Sequence, residues 1–383
     1  MSTRGRVCIA ADYLYPVLVP TTMPFAGGAE TQLVKMAHGL VARDFEVSVA
    51  CCNYGQPEEV VIRGLRVLST FRPDLGWPVV RFFHPRTTGR LRAFRRAEAE
   101  VYYVNAAGLV AGVSGEYARW AGAGYINHCA SDYDVTRRGI AQYQSLRDRA
   151  WYLRSLRHAD ARLVQTEWQG GQLRDEFGLT SEVLPNLVVI PALAADVTRG
   201  GPVVWVGTYK EIKRPEWFLR LAADCPDTKF VMAGVIPPPP LTRNYFEIAC
   251  VAARRLTNLE VRGFQSDREI AELFHRASLL VHTSPVEGFS NVILEAWATG
   301  LPTVSCVNPD EIVTREGLGL VVETYDEILA EVRRLIANPA KRRELGARAR
   351  AYATTRHAPD AVIDRLAAIL DRVVADVRAR RAR

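Results

Sequence analysis

The chain has no Cys-x-x-C pair, and its cysteines are odd in number and scattered: Cys8, Cys51, Cys52, Cys129, Cys225, Cys250 and Cys306. That pattern speaks against a zinc ribbon and against a disulfide framework. Most of the seven fall in or beside predicted strands, so they are expected to be buried thiols in a reducing cytoplasm. No apolar run reaches the roughly 20 residues that a membrane-crossing helix needs. The N-terminal run V-C-I-A-A-D after Arg4 and Arg6 is interrupted by Asp12, so it reads as a first β-strand rather than a signal peptide. Low-complexity linkers and solenoid repeats are also missing. There is no recognition-helix or RNA-binding motif, and few aromatics interleave with the arginines, so nucleic acid is not an expected partner.

What is present is a chain of 383 residues, too long for one ordinary core, with 48% apolar and 24% charged residues. It is basic, with a formal charge of +7. Phosphorylated substrates and anionic surfaces suit that balance. Much of the excess is arginine in two places, Arg81 to Arg96 (R-F-F-H-P-R-T-T-G-R-L-R-A-F-R-R) and the tail Arg378 to Arg383. Such runs are commonly solvated faces. The first, with Phe82, Phe83, Leu91 and Phe94, also suits an anionic membrane surface, which would make a cytoplasmic protein peripheral on the inner membrane face.

Strand and helix patterns alternate from end to end, which predicts an α/β fold with doubly wound parallel sheets. Strands are expected at Arg6–Ala11, Glu46–Cys52, Leu65–Thr70, Val101–Asn105, Gly124–Cys129, Ala161–Gln165 and Glu182–Pro185. A helix is expected over Ala29–Arg43, with Leu33, Val34, Ala37, Leu40 and Val41 on one face. Asn186 to Gly201 has no clear period and marks a domain junction. A second sheet follows, at Val203–Val206, Lys229–Ala233, Leu259–Val261, Leu279–Thr283, Pro302–Cys306 and Gly319–Val322. Pro237 to Pro240 form a rigid spacer. The domains are thus expected at 1–190 and 200–360. Residues 361–383 supply a terminal helix and basic tail.

The densest motif is Glu287 to Glu295, E-G-F-S-N-V-I-L-E. The run S-L-L-V-H-T before it reads as a buried parallel strand. Val292 to Thr299 reads as a helix stopped by Gly300. Glu287 therefore lies at a strand's C-terminal end, the edge where open α/β sheets bind ligands. Backbone N–H groups of Gly288, Phe289, Ser290, Asn291 and Val292 offer the helix's positive end to an anion. Phosphate suits the amides, and sugar hydroxyls suit the two carboxylates. Helix-end stabilisation with a surface salt bridge is the plainer alternative.

The motif and its surroundings, T-S-P-V-E-G-F-S-N-V-I-L-E-A-W-A-T-G-L-P-T-V, resemble the E-x7-E region of retaining glycosyltransferases of the GT-B fold, specifically glycosyltransferase family 4. The resemblance continues through V-G-T-Y-K-E-I-K-R-P-E-W-F and, more loosely, G-G-A-E-T near the start. It implies GT-B architecture, two Rossmann-like domains facing across a cleft with the last helix crossing back to the first. It also implies a nucleotide-diphosphate sugar donor, UDP or GDP linked, a hydroxyl acceptor in polysaccharide, glycolipid or secondary-metabolite assembly, and no cofactor or metal. By resemblance Glu287 holds the donor sugar, Glu295 the ribose, and Arg262, Gly263 and Phe264 the base. His128 lies near the reacting centre. Phe264 could equally be core, and His128 equally structural.

Stabilising a departing diphosphate requires positive charge. Lys210, Lys213 and Arg214 follow the strand ending at Val206-Gly207. The family places an arginine right after that glycine; here the position is Thr208, while Lys213 matches the family's lysine. Gly27 and Gly28 open the first helix and let backbone approach a diphosphate. Asp132-Tyr133-Asp134 carries the opposite suggestion, the D-x-D metal motif of the other glycosyltransferase fold, GT-A. Arg137 and Arg138 just after it favour a salt-bridged loop instead. The Thr208 departure motivates a second class of function, a non-catalytic subunit that binds the donor or scaffolds a partner.

Overall fold

A computed structural model describes residues 3–19, 27–77, 80–143, 145–237 and 244–383. The chain divides into two compact units, residues 1–187 with 359–383, and residues 188–358.

The first unit is built on eight strands: β1 (Arg6–Ala10), β2 (Glu46–Cys51), β3 (Glu59–Ile62), β4 (Leu65–Ser69), β5 (Val101–Val104), β6 (Gly124–His128), β7 (Ala161–Val164) and β8 (Glu182–Val183). Their order is β3-β4-β2-β1-β5-β6-β7-β8. Every neighbouring pair is parallel except β3–β4, where Glu59 faces Leu68 and Ile62 faces Leu65. The inner strands carry continuous apolar runs because helices cover both faces. β3 is absent from the sequence expectations. Its turn is nevertheless written as Arg63-Gly64, both with positive φ (49° and 81°), the conformation that closes a two-residue hairpin.

The helix Gly28–Val41 covers one face with Leu33, Met36, Ala37 and Leu40. The terminal helix Pro359–Ala382 packs into the same core through Ile363, Leu366, Leu370, Val373 and Val377. The two helices approach closely at Gly39, where a Cβ would come 2.7 Å from Ile363. Ion pairs fix the terminal helix along its length: Arg43 with Asp364 (2.5 Å), Arg378 with Glu100 (2.7 Å) and Arg380 with Asp160 (2.9 Å). Arg381 donates to the Gly122 carbonyl (3.1 Å). These tail arginines are therefore engaged near the start of β5, β6 and β7, the N-terminal edge of the sheet.

The second unit carries β9 (Val203–Thr208), β10 (Phe230–Val235), β11 (Leu259–Val261), β12 (Leu279–His282), β13 (Thr303–Ser305) and β14 (Gly319–Val321). Their order is β11-β10-β9-β12-β13-β14, parallel throughout. Trp205, Phe218, Phe230 and Leu279 build one face of its core; Phe274, Phe289, Ile293 and Trp297 build the other. The chain runs outward from β9 to β11 and then returns to place β12 on the other side of β9. The switch point lies between the C-terminal ends of β9 and β12, the position at which such sheets bind ligands.

All seven cysteines are free thiols, five of them buried. Burial pushes the Cys8, Cys51 and Cys129 thiols up to about 12, so they are protonated and inert. The surface expected from Phe82, Phe83, Leu91 and Phe94 needs correction. Phe94 is fully buried against Tyr102 and Tyr117, and Leu91 packs on the same core. Arg90 is buried as well, held by Asp12 (2.5 Å). The alternation of a ten-residue helix, Thr88–Ala97, turns that face inward. Of the proline spacer, Pro238 to Pro240 lie outside the described residues.

Candidate functional site

The loops after β9 and β12 are stitched together before either presents a charge. Trp205, inside β9, donates its indole N–H to Thr283 Oγ1 (2.9 Å), and Thr283 Oγ1 donates to the Lys213 carbonyl (2.5 Å). Ser284 Oγ donates to the Val286 carbonyl (3.0 Å). Lys213 closes a short turn, Glu211–Lys213. Arg214 follows at φ 45°, ψ 52°, reversing the chain into the helix Pro215–Asp224, with its guanidinium 4.5 Å from the Trp217 ring.

This framework brings Lys213 and Glu287 together. The Lys213 ammonium donates to Glu287 Oε1. His282, the last residue of β12 and buried, places Nε2 3.2 Å from the same oxygen. A carboxylate only accepts, so Nε2 carries the hydrogen. Ser290 Oγ stands 3.3 Å from that nitrogen. Nδ1 of His282 is enclosed without a hydrogen-bond partner among the described residues. Burial alone would raise the Glu287 pKa. The His282 hydrogen bond and the Lys213 charge more than offset it and hold the carboxyl at about 2.

The helix Asn291–Thr299 begins beside this carboxylate. Ser290 is its N-cap but makes no side-chain cap, its hydroxyl being turned to His282. Gly288 and Phe289 are buried. The Phe289 ring stands edge-on to Trp297 (6.1 Å) and 4.8 Å from the His357 ring, which anchors the loop in the core. Val292 and Glu295 are half-buried on the helix, Glu295 one turn beyond Asn291 on the same face. Gly300 ends the helix at φ 79°.

Thr208 is the last residue of β9, opposite Val235, and Lys210 is exposed just beyond it. Arg262, Gly263 and Phe264 follow β11, two strands from the switch point. The Arg262 guanidinium bonds Glu260 (2.7 Å), and its carbonyl accepts from the Tyr209 hydroxyl (2.7 Å). Phe264 is an exposed ring rather than a core one.

The remaining candidates belong to the first unit. Gly27 is exposed at the N-cap of Gly28–Val41, where a Cβ would come 2.7 Å from Glu30 Oε2. His128 ends β6, fully buried, with Nδ1 2.6 Å from the Tyr103 hydroxyl. Burial lowers its pKa to about 4, so the imidazole is neutral at physiological pH. The D-x-D acids make hydrogen bonds within the first unit. Asp134 caps Ala130 N (2.9 Å) and Ser131 N (3.0 Å), and Asp132 accepts from Gln169 (2.9 Å). Arg137 reaches Glu176 through its backbone N–H (2.6 Å). Among the described residues no three His, Cys, Asp or Glu side chains are grouped to hold a metal ion.

Sequence reasoning missed His282. It sits at the end of an apolar run and reads as a strand residue; the only signal was a polar side chain five positions before Glu287.

Two parallel-sheet α/β units of this kind, each with its ligand edge at the strands' C-terminal ends, define the GT-B class of glycosyltransferases. Residues 201–352 match the family of glycosyl transferases group 1, and residues 27–192 match the glycosyl transferase 4-like domain. The chain belongs to this family. Its fold is shared with sucrose-phosphate synthase from Thermosynechococcus elongatus (TM-score 0.77, 16% identity, 97% of this chain and 99% of that one). It is also shared with Anabaena HepE, solved in complex with UDP-glucose (TM-score 0.73, 16% identity, 95% and 98%). A curated relative, D-inositol 3-phosphate glycosyltransferase of Mycobacterium tuberculosis, is 29% identical over 225 residues, 51% of this chain. The match spans about half the length of that relative, 45%.

Proposed function

We propose that the chain is a retaining, metal-independent hexosyltransferase that moves a sugar from a nucleotide-diphosphate donor, UDP or GDP linked, to an acceptor hydroxyl. The observation that carries this reading is the trio Lys213, Glu287 and His282 at the β9/β12 switch point, beside the start of the helix Asn291–Thr299. Lys213, with Lys210 and the amides of Gly288 to Val292, stabilises the departing diphosphate. Glu287, held ionised, accepts from donor-sugar hydroxyls and orients the anomeric carbon. Glu295 accepts from the ribose, and Arg262, Gly263 and Phe264 border the base. Gly27, Gly28 and His128, in the first unit, are proposed as donor-contacting residues on the family resemblance alone. The departing phosphate itself takes the acceptor proton, with attack from the face it leaves. The likeness to HepE, solved with UDP-glucose, supports a UDP-linked donor. The pathway served is polysaccharide, glycolipid or secondary-metabolite assembly.

Release of nucleoside diphosphate from a panel of UDP and GDP sugars tests the reading. Turnover by the wild type that falls in Glu287→Ala supports it. Tight nucleotide binding with no turnover on any acceptor would favour the second reading, a donor-binding subunit without catalysis. Thr208, at the end of β9 where the family carries an arginine, is the observation behind that alternative.

A further inference from the structure

The strands that flank the switch point part where the site begins. β9 and β12 pair at Leu279↔Val203 and Leu280↔Val204. Beyond those pairs β9 stays with β10 as far as Thr208↔Val235, and β12 stays with β13 as far as His282↔Ser305. Lys213, from the loop after β9, must nevertheless meet Glu287, from the loop after β12. Backbone pairing no longer holds those two loops in register.

One side chain takes over that task. Thr283, 1% exposed, directly follows β12. Its hydroxyl accepts from Trp205 Nε1–H of β9 (2.9 Å) and donates to the Lys213 carbonyl (2.5 Å). A hydroxyl has a single hydrogen, so the carbonyl takes it and the indole is answered by a lone pair. The carbonyl belongs to the peptide between Lys213 and Arg214, whose N–H donates to the Glu211 carbonyl (2.9 Å). Both ends of this peptide plane are therefore tied. On the other side of Lys213, its own N–H donates to the Lys210 carbonyl (3.0 Å). With both flanking planes fixed, the direction in which the Lys213 side chain leaves the turn is fixed too. Arg214 then stands at φ 45°, a left-handed conformation that a non-glycine residue keeps where its surroundings hold it. Next to Thr283 in sequence, His282 bonds Glu287 (3.2 Å). Two successive residues at one strand end thus place both members of the ion pair, His282 the acid and Thr283 the base.

We infer that Thr283 is the positioning residue for Lys213: its hydroxyl spans the gap between β9 and β12 and aims the ammonium at Glu287 and the departing diphosphate. The effect on rate rests on the proposed transfer reaction. The placement of Lys213 does not, and it is measured without substrate.

Full-length protein is treated with a trace of an amine-acylating reagent, and labelling of Lys213 is followed by peptide mass spectrometry against Lys229. An ammonium engaged by a carboxylate acylates slowly, and Glu287→Ala sets the rate for the released amine. Thr283→Val, which keeps the shape and loses the hydroxyl, should raise Lys213 labelling about fivefold or more. Thr283→Ala should do the same with less bulk, and Thr283→Ser should restore the wild-type rate. Trp205→Phe removes the indole donor but leaves the Thr283–Lys213 bond; it should lower Tm while labelling stays within about twofold of wild type. In turnover, Thr283→Val should lower kcat about tenfold and change the donor KM by less than about threefold. Unchanged labelling in both Thr283→Val and Thr283→Ala overturns the proposal, as does a serine variant no better than valine. So does Trp205→Phe matching Thr283→Val in labelling at equal loss of Tm, which would make lost stability the whole effect. An active wild type whose Thr283→Val variant keeps its kcat overturns it as well. A wild type that turns over no UDP or GDP sugar defeats the transfer reading instead, and labelling alone then decides the role of Thr283.

Discussion

Two donors meet one oxygen of Glu287, and the consequences can be read side chain by side chain. A hydrogen bond to a charged partner contributes about 1.5–3 kcal/mol, or roughly one to two decades of rate where it acts in the transition state. Glu287→Ala and Lys213→Ala should each cut transfer by about tenfold or more, with the fold retained by circular dichroism. Near-normal turnover in both contradicts the assigned roles. His282→Leu keeps the volume and removes the donor; it should lower turnover, and His282→Gln should restore part of it. The positions of the glutamates and the lysine, beside a strand end or a helix start, were readable in the sequence. The contact of His282 was not, because it depends on a loop that brings Glu287 back over the strand it follows. His128 gives a separate test of pH. Its folded pKa, about 4, lies below the ordinary 6.5. The unfolded chain therefore binds a proton that the native chain refuses, and stability falls as pH drops from 6.5 toward 4, by about 3 kcal/mol at the full shift. Asp134, raised to about 6 by burial, opposes this trend. The comparison of wild type with His128→Gln isolates the histidine: the variant should lose less thermal stability between pH 7 and pH 5. Equal acid sensitivity contradicts the buried neutral imidazole.

At the scale of elements, the terminal helix is the member whose removal has the most local effect. Leu370 is fully buried in the core shared with Leu33, Met36 and Leu40. Leu370→Ala should cost about 2–5 kcal/mol. Hydrogen exchange should accelerate across β1, β5 and Gly28–Val41, while amides of β9 and β12 keep their protection. Uniform acceleration in both units would contradict a core confined to the first. Most strands were legible because burial on both faces leaves continuous apolar runs, and the observed ends agree within two residues. β3 escaped because it is short, is an edge strand, and alternates between exposed and half-buried residues. The Arg81–Arg96 run shows the converse error. Its composition suggested a surface, but helical periodicity folds Phe94 and Arg90 inward, while Phe83 stays exposed as do Trp77 and Val80 before the run.

For the whole molecule, the family is fixed by matches to both halves of the chain, and the fold by structures that share only about a sixth of its residues. Fold was therefore more legible than chemistry. Parallel-sheet architecture follows from hydrophobic pattern, whereas donor sugar and acceptor depend on loops, including Asp12 to Ala26, of which residues 20–26 lie outside the described ones. Metal independence is checked on the intact enzyme: turnover should survive EDTA, and a chelator-sensitive, metal-rescued activity would favour the D-x-D acids instead. The central claim is that Lys213 and Glu287 grip a sugar nucleotide, and thermal shift tests it most directly. A ligand at about 100 times its Kd stabilises the folded chain by about 2.7 kcal/mol. Wild type should show a clear rise in Tm with UDP or GDP, or with one of their sugars, and Lys213→Ala should lose most of it. No shift with any nucleotide, or the same shift in the variant, would contradict the account.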